Sequence, residues 1–155
     1  GGLYSCLSAV SEDLLFFTPV DAPFTNTDAA LTLCQTLEQS IDTVPEKYVC
    51  VLVHPTRGKQ PLTAAYAKTC LPNIECMIQM ENYRLRQLLT PEHTIIADIL
   101  VPQEHFYNMN DMPSYYHALQ MLAEKQPALF PADFTQILQF ILLYFIHKNI
   151  STDST

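Results

Sequence analysis

The stretch Tyr48-Val-Cys-Val-Leu-Val53 decides the fold of this chain. It is β-branched and apolar at both odd and even positions, which is typical of a strand that helices cover on both faces. A second apolar run, Leu14-Leu-Phe-Phe-Thr18, ends at Pro19 and predicts another buried strand. Between the two strands, the apolar spacing after Thr27 predicts a helix that ends near Ile41.

Beyond residue 53, a loop over 54–59 is followed by further predicted elements in the order helix, strand, strand, helix, helix. They cover residues 61–70, 74–80, 94–101, 113–125 and 133–147. This order predicts an α/β fold with about four strands, in which the sheet is at least partly parallel or mixed. Helices cover its faces, and two of them are C-terminal. An α+β arrangement is the alternative.

The chain is interpreted as one domain over residues 3–150, since 155 residues suit a single core. Residues 1–2 read as a cloning remnant or as a cut inside a longer protein, and residues 151–155 read as a disordered tail.

The last predicted helix, over residues 133–147, is more apolar than one buried face requires. Its inward stripe leaves Phe140 and Leu143 on the opposite side, next to Tyr144. The uninterrupted apolar run covers only residues 140–146, whereas a membrane span needs about 20 residues. Surplus apolar surface usually marks an interface, so these three residues are candidate partner-binding residues. The alternative is that a second layer of the same domain covers them.

A second candidate interface is the loop that precedes the helix over 113–125. It concentrates Phe106, Tyr107, Met109 and Met112, and aromatic residues and methionine are common at protein interfaces. The alternative is a long loop folded over the core.

The charge balance argues against nucleic acid as a partner. The chain has 16 acidic against 8 basic residues and a formal net charge of −8, and its basic residues are scattered. Such a chain repels phosphate backbones. Its five cysteines are odd in number and form no Cys-x-x-Cys, which indicates reduced thiols in a cytoplasmic protein.

The loop after the central strand offers the best candidate ligand site. His54, Arg57 and Lys59 surround Gly58 ahead of the helix predicted from residue 61, whose N-terminus would receive an anion or phosphate, with His54 as acid or base. The sequence does not predict a nucleotide phosphate loop, because the chain holds only three glycines and neither Gly-x-Gly-x-x-Gly nor Gly-x-x-x-x-Gly-Lys-Ser/Thr.

The sequence favours a non-enzymatic function, since no catalytic set, metal cluster or cofactor motif stands out. We expect an acidic cytoplasmic adaptor or a chaperone-like subunit of a larger complex, which binds a protein partner or a second copy. In general character, though by no motif, the chain resembles secretion chaperones and adaptors, which implies a link to protein secretion. The alternative is a small enzyme or an anion-binding domain that uses loops at the C-terminal ends of the strands.

Overall fold

The computed structural model describes residues 2–129 of the 155. The chain divides into two compact units, of which the first comprises Gly1–Val20 with Phe24–Phe106 and the second Asp21–Pro23 with Tyr107–Thr155. The interpretation of residues 3–150 as one domain stays a prediction. The helix predicted over 133–147, with Phe140, Leu143 and Tyr144, lies outside the described residues, as does the tail over 151–155.

The described helices and strands alternate along the chain, apart from two consecutive strands in the middle. They are α1 (Gly2–Ala9), β1 (Leu14–Phe17), α2 (Thr27–Ile41), β2 (Val49–His54), β3 (Gly58–Ala67), α3 (Leu71–Gln79), β4 (Thr94–Ile96) and α4 (Met112–Lys125). Short 3-10 helices cover Lys68–Cys70, Leu85–Leu88, Gln103–Phe106 and Pro127–Leu129. None of the helices described between residues 2 and 129 combines the length and the hydrophobicity of a membrane span.

The first unit is built on a four-stranded mixed sheet in the order β1-β3-β2-β4. β3 is antiparallel to both β1 and β2, while β4 is parallel to β2. Strands β1, β2 and β4 therefore run in one direction, and their C-terminal ends lie on the same side of the sheet. The predicted α/β class with a mixed sheet is confirmed.

The centre of the core is β2, as its continuous apolar run predicts. Val49 to Leu52 are at most 2% exposed on either face. On one side, α2 packs its buried Leu33 and Leu37 against the strands. Leu14 lies beside α2, and Phe17 lies beside α1 and α3. Since Leu14 and Phe17 point to opposite faces of β1, α2 covers one face of the sheet and α1 with α3 covers the other.

The prediction of a helix over residues 61–70 is wrong, because residues 61–67 belong to β3 and Lys68–Cys70 form a short 3-10 helix. Its alanines favour a helix in isolation, but the hairpin with β2 and the pairing with β1 decide the conformation. Residues 63–67 are buried on both faces, where small side chains let the covering helices approach closely.

The prediction of a strand over residues 74–80 is also wrong. The apparent alternation hides a helical pair, since Ile74 and Ile78 lie four residues apart and share the inner face of α3, while Cys76 is exposed. Pro72, which reads as a helix terminator, instead occupies the first turn of α3, where its missing N–H costs nothing.

In the second unit, α4 begins at a capping box, as its sequence allows. The side chain of Asp111 accepts the Ser114 N–H at 2.8 Å, and the Ser114 hydroxyl oxygen accepts the Asp111 N–H at 3.0 Å. The helix buries Ala118 and Ala123. Its bounds agree with the helix predicted over 113–125.

Candidate anion-binding site

The turn between β2 and β3 is organised by the imidazole of His54. Its Nδ1 accepts the backbone N–H groups of Thr56 and Arg57, each at 3.1 Å. Gly58 closes the turn with a φ of +72°, a conformation that strains other residues. Because Nδ1 serves as an acceptor, the ring proton lies on Nε2, and this atom alone is left to act on a ligand.

Three cationic side chains meet around this turn. Arg57 donates from Nη2 to the Phe106 carbonyl oxygen at 2.9 Å, and Arg86 donates from Nη2 to the Arg57 carbonyl oxygen at 3.0 Å. Lys59 donates from Nζ to the Leu89 carbonyl oxygen at 2.8 Å. Each cation is thus oriented by a neutral carbonyl and keeps further donors for another ligand.

The positive charge of this cluster is not compensated by a neighbouring acid. Within residues 2–129, the side chains of Arg57, Lys59 and Arg86 contact carbonyl oxygens and no carboxylate. The chain as a whole carries a formal net charge of −8, so a cationic cluster without acidic partners is unusual here. Such a cluster attracts phosphate or carboxylate groups.

A buried histidine near the end of the first unit holds in place the segment that orients Arg57. His105 is 1% exposed, and its Nδ1 accepts the backbone N–H of Asn26 at 2.8 Å. Asn26 is also the N-cap of α2, through a bond from Ala29 N–H to its side-chain oxygen. Burial lowers the pKa of His105 below its ordinary value, so the ring stays neutral. His105 therefore fixes the segment whose next carbonyl, that of Phe106, holds Arg57.

The structure brings the predicted residues His54, Arg57 and Lys59 together, but in a setting that differs from the prediction. Within residues 2–129, β3 replaces the helix predicted from residue 61, so the N-terminus of that helix is not part of the site. Sequence reasoning missed Arg86, which enters from a 3-10 helix 29 residues away. Only its basic character could have pointed to it. Binding of an anion at this site stays a prediction.

The predicted partner-binding loop has varied surroundings. Phe106 packs against the core, with its ring edge-to-face to His54 at 4.9 Å. In the second unit, Tyr107 donates its hydroxyl to the Ser114 carbonyl oxygen, and Met109 N–H bonds the Asp21 carbonyl oxygen. Met112 opens α4 and is 48% exposed. The partner-binding role of these four loop residues stays a prediction.

The thiols are poor candidates for chemistry. All five cysteines are free, and burial raises the pKa of Cys50 and of Cys70 to about 12 each. Within the described part of the chain, no three His, Cys, Asp or Glu side chains are grouped so that they could hold a metal ion.

Comparison with known sequences identifies the family. A sequence model of the MobA-like NTP transferase domain matches residues 1–96, which is more than half of the chain. A probable molybdenum cofactor guanylyltransferase of Deinococcus radiodurans is 29% identical over 113 residues, covering 73% of this chain and 54% of that protein. The molybdenum cofactor guanylyltransferase of Helicobacter pylori is 23% identical over 124 residues, covering 80% and 57%. The chain spans little more than half the length of these relatives.

Two crystal structures share the fold. A protein from Aquifex aeolicus VF5 superimposes with a TM-score of 0.54 at 24% identity, over 71% of this chain and 55% of that one. Molybdopterin-guanine dinucleotide biosynthesis protein A from Archaeoglobus fulgidus superimposes with a TM-score of 0.58 at 15% identity, over 79% and 62%.

The chain belongs to the MobA-like NTP transferase domain family. The expectation of a non-enzymatic adaptor or chaperone-like subunit is therefore wrong, because both the family and the named relatives are transferases. The alternative reading, a small enzyme that uses loops at the strand ends, agrees better with these findings.

Proposed function

We propose that this MobA-like chain is part of a nucleotidyltransferase that transfers a guanylyl group to the molybdenum cofactor, the activity for which its curated relatives are named. An oxygen of the acceptor attacks the α-phosphorus of guanosine triphosphate and forms a new P–O bond. The bond between the α-phosphorus and the bridging oxygen breaks, and pyrophosphate leaves with its charge. The protein has to bind highly charged phosphates and to stabilise that charge as it moves.

The observation that carries this proposal is the uncompensated cluster of Arg57, Lys59 and Arg86. It lies at the C-terminal end of β2, on the side of the sheet toward which β1 and β4 also run. Ligands of sheets with parallel strands bind beyond the carboxyl ends of those strands. Guanidinium groups match phosphate oxygens in geometry, and their orientation by carbonyls reduces the side-chain entropy lost on binding.

In this proposal, the cluster of Arg57, Lys59 and Arg86 binds phosphate groups, and His54 can donate one hydrogen bond to the ligand from Nε2. We assign no general base to His54, because its Nδ1 is occupied by the turn amides. The five free cysteines suit a reducing compartment, and we place the reaction in the cytoplasm.

The test is calorimetric titration of the 155-residue chain with guanosine triphosphate and with pyrophosphate. Replacing Arg57 or Arg86 by alanine should weaken binding by roughly ten- to a hundredfold, because a charge-assisted hydrogen bond contributes about 1.5–3 kcal/mol. Raising the salt concentration should weaken binding by the native chain, since the cations of Arg57 and Arg86 are exposed.

The matched control is Lys68→Ala, which removes one positive charge and one hydrogen bond to a carbonyl oxygen, that of Val10. Lys68 lies beside the start of β1, at the opposite end of the strands. This variant should bind phosphates as the native chain does. If Lys68→Ala weakens binding as much as Arg57→Ala, net charge alone acts and the site assignment fails. In a second assay, pyrophosphate release from guanosine triphosphate should require added molybdenum cofactor.

A further inference from the structure

Arg57 is fixed at three points, by its N–H, its carbonyl oxygen and its guanidinium. The N–H donates to Nδ1 of His54 at 3.1 Å, and the carbonyl oxygen accepts Nη2 of Arg86 at 3.0 Å. The guanidinium donates from Nη2 to the carbonyl oxygen of Phe106 at 2.9 Å. The Phe106 ring also packs edge-to-face on the His54 ring, with 4.9 Å between the ring centroids. His54 therefore supports Arg57 both through the turn and through Phe106.

The contact with His54 differs from the other two, because it depends on a nitrogen without a proton. Nδ1 of His54 accepts the N–H groups of Thr56 and Arg57, and the Thr56 hydroxyl lies 3.2 Å from the same atom. When an imidazole is protonated, both of its ring nitrogens become donors. A protonated ring therefore offers these amides no acceptor in any orientation. The other two contacts each join a guanidinium group to a carbonyl oxygen and need no unprotonated nitrogen.

We propose that His54 is a positioning residue of the phosphate site, whose neutral ring holds Arg57 in the orientation that binds an anion. Protonation of His54 releases the main chain of Arg57, so acidification weakens phosphate binding although it adds a positive charge beside the site. This sign is opposite to that expected for a histidine that binds phosphate directly as an imidazolium. The premise is the phosphate-binding role of Arg57, Lys59 and Arg86 in the proposed function.

The sign follows from the balance of two effects on affinity. A positive charge about 4 Å from an anion in water strengthens binding by about fivefold, and salt reduces this gain. A charge-assisted hydrogen bond from a positioned guanidinium contributes roughly ten- to a hundredfold. Arg57 is exposed, so its position depends on the few hydrogen bonds that hold it. Releasing its main chain therefore costs more affinity than the added charge supplies.

Other titratable and charged groups lie on the segments next to His54. They are Arg57 in the turn, Lys59 on β3, Arg86 on the 3-10 helix Leu85–Leu88, Asp98 after β4, and Glu104 and His105 on the 3-10 helix Gln103–Phe106. Each of them can contribute to the pH dependence of binding. A comparison between chains that differ only at residue 54 cancels these contributions and isolates the effect of the proton on His54.

The experiment titrates the 155-residue chain and two variants with sulfate and follows the Arg57 guanidinium signals by NMR. Sulfate is a phosphate analogue whose charge is constant between pH 7.5 and 5.5. In His54→Asn, the side-chain oxygen can accept backbone N–H groups farther along the turn, as in Asx turns, and it does not titrate. At pH 7.5 this variant should bind sulfate within about threefold of the native chain, whereas His54→Leu should bind about tenfold more weakly or worse.

Lowering the pH from 7.5 to 5.5 spans the range in which histidines generally take up a proton. Over this range, the affinity of the native chain for sulfate should fall about fivefold more than that of His54→Asn. The matched control is His93→Asn, which removes a half-buried imidazole at the other end of β2, where His93 stacks on Tyr48. Its pH profile of sulfate binding should follow that of the native chain.

Nitrogen NMR of the native chain at pH 7.5 should locate the His54 ring proton on Nε2. A proton on Nδ1, native affinity in His54→Leu, or the same change on acidification in the native chain and in His54→Asn would each overturn the inference and leave the proposed function standing. If His54→Leu does not fold, the comparison of the native chain with His54→Asn still decides.

Two further outcomes concern the premise. A native chain that binds no sulfate at pH 7.5 would overturn the inference, because there would be no anion site to position. A chain that shows the expected sulfate profile, but releases no pyrophosphate from guanosine triphosphate when molybdenum cofactor is added, would refute the proposed function alone. The role of His54 in the anion site would then stand.

Discussion

Replacing His105 by asparagine tests how the segment that orients Arg57 is held in place. In the native chain, the Nδ1 atom of His105 must be unprotonated to accept the Asn26 N–H. The oxygen of asparagine can occupy nearly the same position as Nδ1 and still accept this bond, but it does not titrate. The substitution thus keeps the hydrogen bond, removes the proton-binding group and leaves a small cavity.

The sign of the pH effect follows from the direction of the pKa shift. Burial lowers the pKa of His105 below its ordinary value of 6.5, so the unfolded chain binds a proton more readily than the folded chain. The stability that the neutral ring contributes is fully present above pH 6.5. It is lost as the pH falls through the lower pKa of the folded state, where a proton on Nδ1 would face the Asn26 N–H.

Losing this acceptor and leaving the amide unpaired costs about 1–3 kcal/mol. On acidification, the free energy of unfolding of the native chain should therefore fall by about 1–3 kcal/mol more than that of the His105→Asn variant. At pH 7.5 the variant should be less stable by about 2 kcal/mol, because its shorter side chain leaves a cavity. Urea denaturation followed by circular dichroism between pH 7.5 and 5 measures both quantities.

The control is His117→Asn, which removes an exposed imidazole from α4. Its pH profile should follow that of the native chain. If His105→Asn shows the same pH dependence as the native chain, the bond from Asn26 does not depend on a neutral ring, and the reasoning about His105 is refuted.

Three further predictions concern the fold. At pH 8 a thiol reagent should label the exposed Cys6 and Cys76 rapidly. Cys50 and Cys70 should react only after unfolding, because both are buried and burial raises their pKa to about 12. Mass spectrometry of the labelled peptides measures this, and equal labelling of all four thiols would contradict it. Gly58→Ala should lower the free energy of unfolding by roughly 1–2 kcal/mol because φ is +72°, and an unchanged urea midpoint would count against strain in the turn. Leu37→Ala should cost about 2–5 kcal/mol, whereas Leu31→Ala should cost within about 0.5 kcal/mol, and equal losses would contradict the assigned faces of α2.

The elements that the sequence predicted correctly are those whose local pattern agrees with their tertiary surroundings. β1, α2, β2 and α4 lie where their apolar periodicity and capping residues indicate. The two errors are adjacent in the chain. The alanines of β3 carry a local helix preference that strand pairing overrides, and the misassignment of β3 made Pro72 read as a terminator in place of a first-turn residue.

The candidate site was predictable only in its contiguous part. His54, Arg57 and Lys59 are close in sequence, and their position after the central strand identifies them. Arg86 and the Phe106 carbonyl come from 29 and 49 residues away, respectively, and meet Arg57 only because the chain folds back. No spacing rule connects positions so far apart. That these three cations contact carbonyl oxygens and no carboxylate within residues 2–129 is likewise a property of the folded chain.

The wrong functional expectation arose from a correct observation. The 155 residues contain no glycine-rich phosphate loop, and this absence excludes one way of binding a nucleotide within them. A phosphate loop, however, belongs to one segment, whereas a phosphate site at the edge of a sheet is assembled from several strands and loops. This chain spans little more than half the length of its curated relatives. The cations of this candidate site lie at the end of β2 and come from two separate segments, so no single stretch of sequence displays the site.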